Sequence, residues 1–159
     1  MKITKILSGG CAVVILTLVH SGVLTAADAT TSPGAGTIKT SRGTARIERQ
    51  GAKLPADVGS VVNVSDRIVT GADGAVGITL RDNTLLSAGP NSTLELNKFA
   101  FNTTTHVGEL DASVKRGSLS VVSGKIAKTS PDNVSFNTPN VSLGVRGTEF
   151  VIDAGKGVE

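Results

Sequence analysis

The sequence contains no tryptophan, no tyrosine and only four phenylalanines among its 159 residues. This scarcity argues against an aromatic platform for stacking on sugars or on single-stranded nucleic acid. A hydrophobic core must instead rest mainly on valine, leucine, isoleucine and alanine. The length suits one domain, because two sizeable cores would be hard to fit into it.

Cysteine and histidine are equally scarce, with one cysteine and two histidines in the chain. Cys11 lies in the N-terminal segment, and His106 is the only histidine outside that segment. The rest of the chain therefore offers no disulfide, no thiolate site and no histidine-rich metal site. We interpret His106 as a loop or strand-edge residue, and we expect no metal and no cofactor.

Catalytic motifs are missing as well. The sequence has no G-x-S-x-G elbow and no glycine-rich phosphate loop. Glu109 and Asp111 lie two residues apart, which places both carboxylates on one face of a strand. A glycosidase would set such a pair in a cleft rimmed by aromatic residues. We interpret the pair as a solvated acidic face and predict that the protein is not an enzyme.

The N-terminus has the features of a secretory signal peptide. Lys2 and Lys5 form a short positive region, residues 11–19 are an apolar run, and small residues gather at 25–29. This order is typical of a cleaved export signal. We therefore assign residues 1–29 to a signal peptide and expect the protein in the periplasm or outside the cell.

The cleavage site is expected after Ala27 or Ala29. The alternative is an uncleaved anchor over about residues 6–27, with the domain held at the inner membrane and facing the periplasm. That span is long enough to cross a bilayer, but polar residues and glycines dilute it. After cleavage no membrane span would remain.

The net charge of +3 depends on the same N-terminal segment. Loss of Lys2 and Lys5 lowers the number of Lys and Arg from 16 to 14, against 13 Asp and Glu, which leaves a net charge of about +1. No basic stripe remains to follow a phosphate backbone, so nucleic acid is not expected as a partner.

Short apolar alternation, broken by Gly, Asn, Asp and Pro, recurs over the rest of the chain. The alternating runs include residues 76–80, 94–96, 119–121, 134–136, 141–145 and 150–152. Such runs predict half-buried strands. We predict an all-β domain over residues 37–155, preceded by a linker at 30–36. Twisted antiparallel sheets would form a sandwich or roll, or else a short solenoid, with no substantial helix outside the signal peptide.

The stretch 141–152 has an irregular alternation. Val141, Leu143 and Val145 share one parity, whereas Phe150 and Ile152 have the other. If all of them face the core, a β-bulge must lie between them, and Gly147 is the residue that would supply it most readily. The alternative is a plain loop joining two strands.

The same stretch carries a resemblance to a known family. Residues 143–150 read LGVRGTEF and follow FNTPN at 136–140, which resembles the closing motif of the FecR domain family. The upstream segments that resemble the family in the same order are 43–47, 64–71, 75–85 and 89–96. The motif positions singled out by the resemblance are Thr70, Gly71, Asp82, Arg146, Gly147, Thr148, Glu149 and Phe150.

The resemblance implies a role in envelope signalling. The best-known FecR proteins are inner-membrane regulators of iron–siderophore uptake, which receive a signal from a TonB-dependent receptor and control a sigma factor. Only Met1 to Lys5 precede the N-terminal segment 6–27, so we expect a stand-alone exported domain without the anti-sigma and secretin/TonB short domains. We predict a non-enzymatic module that acts by protein–protein contact in envelope signalling or assembly. The alternative is a passive structural or surface β domain.

We further expect residues 149–153 to form an edge strand through which a partner protein binds. Family members usually continue with at least one more strand after this motif. An exposed edge offers unpaired N–H and C=O groups to another strand. In the alternative, the tail at 155–157 folds over this edge.

The signal peptide can be tested directly. We expect the intact mass of the protein from the periplasmic or secreted fraction to correspond to an N-terminus near Asp28 or Thr30. A protein that keeps Met1 and sediments with membranes would contradict cleavage and support the anchor.

Overall fold

The structure is a computed structural model that describes residues 34–144 and 149–155. Within these residues the strands are β1 (Gly36–Arg42), β2 (Ala45–Arg49), β3 (Ala52–Pro55), β4 (Val61–Val62), β5 (Arg67–Thr70), β6 (Ala75–Leu80), β7 (Leu85–Ala88), β8 (Thr93–Phe101), β9 (Gly108–Arg116), β10 (Ser118–Val122), β11 (Val134–Asn137), β12 (Ser142–Gly144) and β13 (Glu149–Asp153). A helix, α1 (Lys125–Thr129), and a single 3₁₀ turn (Pro131–Asn133) lie between β10 and β11.

The strands form two sheets. The six-stranded sheet has the order β13-β10-β7-β6-β1-β4, and the seven-stranded sheet has the order β12-β11-β9-β8-β5-β2-β3. All described pairs are antiparallel except β9 with β11, which is parallel. The predicted all-β class is confirmed, and the only helix in the described part of the chain has five residues.

In both sheets the spatial order of the strands largely follows their order in the chain. Apart from β4 and β3, which pair on the far side of β1 and β2, each new strand is added to the same side of its sheet. The order is β1, β6, β7, β10 and β13 in one sheet and β2, β5, β8, β9, β11 and β12 in the other. The chain crosses between the sheets several times along this path. The C-terminal strands therefore lie together at one end of both sheets.

The core follows the predicted alternation. Within the six-stranded sheet, Ile78 opposes Leu86, Leu86 opposes Val121, and Val121 opposes Phe150. The first three are buried, and Phe150 packs against the buried cluster. Because neighbouring residues on each strand face solvent, period-two alternation buries one face of each sheet.

Phe136 and Phe150 connect the two sheets at their C-terminal end. Phe136 on β11 is 0% exposed, and its ring meets that of Phe150 on β13 edge to face, with centroids 5.3 Å apart. This arrangement is the favoured geometry for an aromatic pair. Phe99 and Phe101 are only partly buried, so the four phenylalanines do not contribute equally.

The stretch 141–152, whose alternation is irregular, is described only in part. Ile152 is buried, Phe150 packs against the core and Val151 is 70% exposed, so the predicted parity of β13 is confirmed. Val145 and the proposed bulge at Gly147 lie outside the described residues. The inward placement of Val141 was wrong, because it stands 53% exposed in a turn that its own carbonyl closes with Thr138.

Leu143 was also expected in the core. It opposes Phe136 across the β11–β12 pair and so shares its face. It remains 37% exposed because β12 is the edge strand of the seven-stranded sheet.

We expect Phe136→Ala to lower the free energy of unfolding by about 3–5 kcal/mol, the usual cost of removing a fully buried phenylalanine. Phe150→Ala should cost less, because its ring is only partly buried. Chemical denaturation of the purified protein measures both, with Val141→Ala as an exposed control. An unchanged midpoint for Phe136→Ala, or a shift caused by a chelator or a reductant, would contradict a core held by apolar burial alone.

Candidate functional site

Thr70, a motif residue, lies at the end of β5 and is buried. Its hydroxyl donates to the carbonyl of Gly89 (2.6 Å) and accepts from the N–H of Ser92 (2.8 Å). Its own N–H donates to the carbonyl of Ser92 (2.9 Å). Thr70 therefore fixes the loop between β7 and β8 to the seven-stranded sheet.

Ser92 extends this network to the other sheet. The hydroxyl of Ser92 accepts from the N–H of Ser118 (3.0 Å) and lies 3.0 Å from the carbonyl oxygen of Ser118, on β10. Gly117 has a φ of +77°, and a Cβ there would lie 2.6 Å from Cα of Ser92. Glycine is required at this crossing both for its left-handed backbone and for the close approach.

Gly71, the next motif residue, also allows a close approach of two chain segments. Its N–H donates to the carbonyl of Thr44 (2.8 Å), and its carbonyl accepts from the N–H of Asn91 (2.9 Å). A Cβ at this position would lie only 3.0 Å from Cβ of Thr44. Gly71 thereby connects the loop that contains Thr44 to the loop that contains Asn91.

Asp82 is 0% exposed and lies in the turn between β6 and β7. Its carboxylate accepts from the N–H (3.1 Å) and the hydroxyl (2.7 Å) of Thr84, and more weakly from the N–H of Ile126 (3.4 Å). The hydroxyl of Thr84 accepts in turn from the N–H of Gly124 (3.0 Å). A buried carboxylate needs such partners, so Asp82 fixes the start of α1 to the β6–β7 turn.

A third buried polar centre, Arg49 with Asp66, was not singled out from the sequence. The Asp66 side chain is 1% exposed and receives two hydrogen bonds of 2.7 Å from the Arg49 guanidinium. The N–H of Asn63 donates a further bond of 2.7 Å. The hydrogen bond to Asp66 raises the pKa of Arg49 above its ordinary value. Asp66 lies inside the segment 64–71 that resembles the family, and that was its only signal.

The closing motif is described in part. Arg146, Gly147 and Thr148 lie outside the described residues, whereas Glu149 and Phe150 open β13. The side chain of Phe150 turns to the core and that of Glu149 is exposed. The motif positions that the structure describes thus form three separate places: the Thr70–Gly71 corner, the Asp82 turn and β13.

Strand β13 is an edge of the six-stranded sheet. It pairs with β10, and no other described strand pairs with it. Ala154 donates its N–H to the carbonyl of Gly117. Because bonded pairs alternate along an antiparallel ladder, Ile152 and Phe150 also bond to β10. The N–H and C=O groups of Glu149, Val151 and Asp153 therefore point away from the sheet.

The other three edge strands are less suited to pairing. β4 has two residues, and β12 has three. β3 carries Lys53 and ends at Pro55, and lysine and proline are residues that protect edges. β13 is the longest of the four described edges, with five residues and no proline or lysine.

The outer face of the seven-stranded sheet is densely charged. Across β2, β5, β8 and β9, ion pairs join Arg67 to Glu48 (4.0 Å) and Glu95 to Lys115 (3.4 Å), and Arg67 Nε donates to Glu95 (2.7 Å). An open groove of about 610 Å³ lies beside these residues and is also lined by Lys53. Its charges compensate one another within the sheet, and exposed pairs contribute little stability.

Glu109 and Asp111, the expected acidic face, differ in their environments. Glu109 is exposed and pairs with Lys98 (3.3 Å). Asp111 accepts hydrogen bonds from the hydroxyl of Ser135 (2.6 Å) and from the amides of Asn97 and Asn137. Burial raises the pKa of Asp111, but these hydrogen bonds outweigh burial and hold it below its ordinary value.

His106 lies in the loop between β8 and β9, with a φ of +60° and its ring stacked on Phe101 at 6.1 Å. This position fits the interpretation of a loop histidine. Within the described residues, no three His, Cys, Asp or Glu side chains are grouped as a metal site would require. The same part of the chain holds no helix of the length and hydrophobicity that a membrane crossing needs.

The family described as FecR protein matches residues 66–159, more than half of the chain. The chain belongs to the FecR family. The match begins at Asp66, so the resemblance seen at residues 43–47 lies outside it. Neither the curated proteins nor the solved structures include a significant match. FecR proteins are a regulatory family connected with signalling.

The lowered pKa of Asp111 predicts that the free energy of unfolding depends on pH. Its folded pKa lies below the unfolded value, so its contribution to stability is present above about pH 4 and is lost as the pH falls through the folded pKa. We expect Asp111→Asn to cost about 1 kcal/mol at neutral pH, because hydrogen bonds to a charged group are lost. Denaturation of both proteins at several pH values measures the difference, which should shrink toward acid. Glu109→Gln is the exposed control, and a difference independent of pH would contradict the assignment.

Proposed function

We propose that this protein is an exported, non-enzymatic FecR module that regulates an envelope process by direct contact with another protein. Family membership supports the regulatory role. The edge of β13, which no other described strand covers, supports the mode of contact, namely addition of a partner strand to the six-stranded sheet. This edge is the single observation on which the mechanism depends.

Strand addition fits the geometry of β13. Three residues, Glu149, Val151 and Asp153, direct backbone donors and acceptors outward. A partner strand would pair with these groups and continue the sheet. Each bond replaces one with water and gains only about 0.5–1.5 kcal/mol, so side chains must supply the specificity.

The edge is held in place before any partner binds. Ile152 is buried, and the ring of Phe150 packs on Phe136 of the opposite sheet. The strand therefore loses little conformational freedom when it pairs, which favours binding. A flexible C-terminal segment would have to pay that ordering cost on association.

The N-terminal sequence supports an extracytoplasmic location. Residues 1–29 have the order of a signal peptide, so the domain would meet its partner in the periplasm or outside the cell. An uncleaved anchor would present the same domain to the periplasm from the inner membrane. The edge of β13 would be available in either arrangement.

A passive structural domain is the competing function. The compensated charges on the outer face of the seven-stranded sheet are those of a surface that needs no partner. Such a domain would leave the edge of β13 solvated, whereas a regulatory module would use it. The two functions therefore predict different behaviour of one strand, β13.

Crosslinking in cells tests this difference. A photo-reactive residue is placed at position 153 of the full chain, and Val58, a loop residue 64% exposed, is the matched control position. We expect a discrete crosslinked partner from position 153 and none from position 58. Val151→Pro should abolish it, because proline removes the outward N–H without removing a bond to β10.

Val151→Thr keeps the N–H and should retain the crosslink, and thermal melting checks that both variants fold. A crosslink that persists in folded Val151→Pro would contradict strand addition. Equal labelling from positions 58 and 153 would support the passive domain.

A further inference from the structure

The outward face of β13 carries a charge pattern that specifies the strand it would accept. Glu149, Val151 and Asp153 share this face, since Phe150 and Ile152 turn to the core. Two carboxylates therefore flank one exposed β-branched residue. No described residue forms an ion pair with either carboxylate, although Asp153 Oδ1 accepts from the N–H of Gly155 (2.8 Å).

The neighbouring strand does not compensate these charges. Glu149 opposes Val122, Val151 opposes Ser120, and Asp153 opposes Ser118 on β10. The seven-stranded sheet differs, because there Glu95 pairs with Arg67 and Lys115 on the strands to either side. At β13 the positions for such cations lie on the open side, where a partner strand would be.

A second copy of this chain does not fit that pattern. Antiparallel pairing of two β13 strands centred on Val151 would place Glu149 opposite Asp153 of the second copy, twice. Parallel pairing in register would place each carboxylate opposite its equivalent. Like charges directly opposite each other destabilise a strand pair, so the edge is protected against its own copy.

We propose that the edge of β13 binds a strand of a different protein with a basic residue, an apolar β-branched residue and a second basic residue at alternate positions. The basic residues would oppose Glu149 and Asp153, and the central residue would oppose Val151. The residues between them would lie beside Phe150 and Ile152, so apolar side chains fit there. The pattern is symmetric and suits a parallel or an antiparallel partner. This inference rests on the proposed strand addition.

A synthetic peptide with the central sequence Lys-Ile-Val-Ile-Lys between Gly-Ser ends is the probe. We expect the exported full-chain protein to bind it in a fluorescence anisotropy titration. A peptide with Glu-Ile-Val-Ile-Glu should bind about tenfold more weakly, since two favourable cross-strand pairs become repulsive. Binding of the basic peptide should weaken as salt is raised, because exposed charges are screened.

Charge reversal on the protein makes the test reciprocal. The double variant Glu149→Lys with Asp153→Lys should prefer the acidic peptide. Asp153→Asn keeps an oxygen for the N–H of Gly155 and should weaken binding of the basic peptide only partly. Glu109→Lys changes the charge on the other sheet and should leave both affinities unchanged.

The outcomes separate the two proposals. If Val151→Pro abolishes binding but the charge variants leave the preference unchanged, strand addition stands and a basic partner is wrong. If Val151→Pro binds either peptide like the unaltered protein, the edge is not the site and both proposals fail. A dimer of the purified protein that Val151→Pro dissolves would contradict the protection against a second copy and overturn the basic partner.

Discussion

The buried polar groups at the ends of the strands are the constraint on which the rest of the structure depends. An aliphatic core is not directional, so it does not by itself fix how two sheets are aligned. Ser92, which Thr70 holds, bonds to Ser118 of the other sheet, and Arg49, which pairs with Asp66, donates to the carbonyl of Val61 on β4. Asp82 with Thr84 fixes the start of α1 to the β6–β7 turn. These polar groups need specific partners, and a buried group left unsatisfied would cost about 1–3 kcal/mol.

This constraint accounts for the place of the buried motif positions in the structure. Thr70 and Asp82 lie within the fold, and their polar side-chain atoms have hydrogen-bond partners. The C-terminal end of the two sheets is held in place in addition by the contact between Phe136 and Phe150.

The strand pattern could be predicted from the sequence, because period-two alternation records burial directly. Residues such as Ile78, Leu119 and Phe136 were assigned to the core for that reason. The exposure of Val141 and Leu143 could not be read in this way, since alternation indicates a face and not whether another strand covers it. The Arg49–Asp66 pair could not be predicted either. The two residues are 17 positions apart, and the sequence carries no periodic signal for a long-range ion pair.

The charges on the outer faces of the two sheets are arranged differently, and β13 shows the difference. On the seven-stranded sheet, cations and anions alternate between neighbouring strands, so that Arg67 lies between Glu48 and Glu95. On β13, Glu149 and Asp153 face only hydroxyl and apolar residues of β10. A charge pattern of one sign on a solvated edge costs little while water solvates it. It becomes favourable when a strand of opposite charge is added, and unfavourable when the strand is a copy of itself.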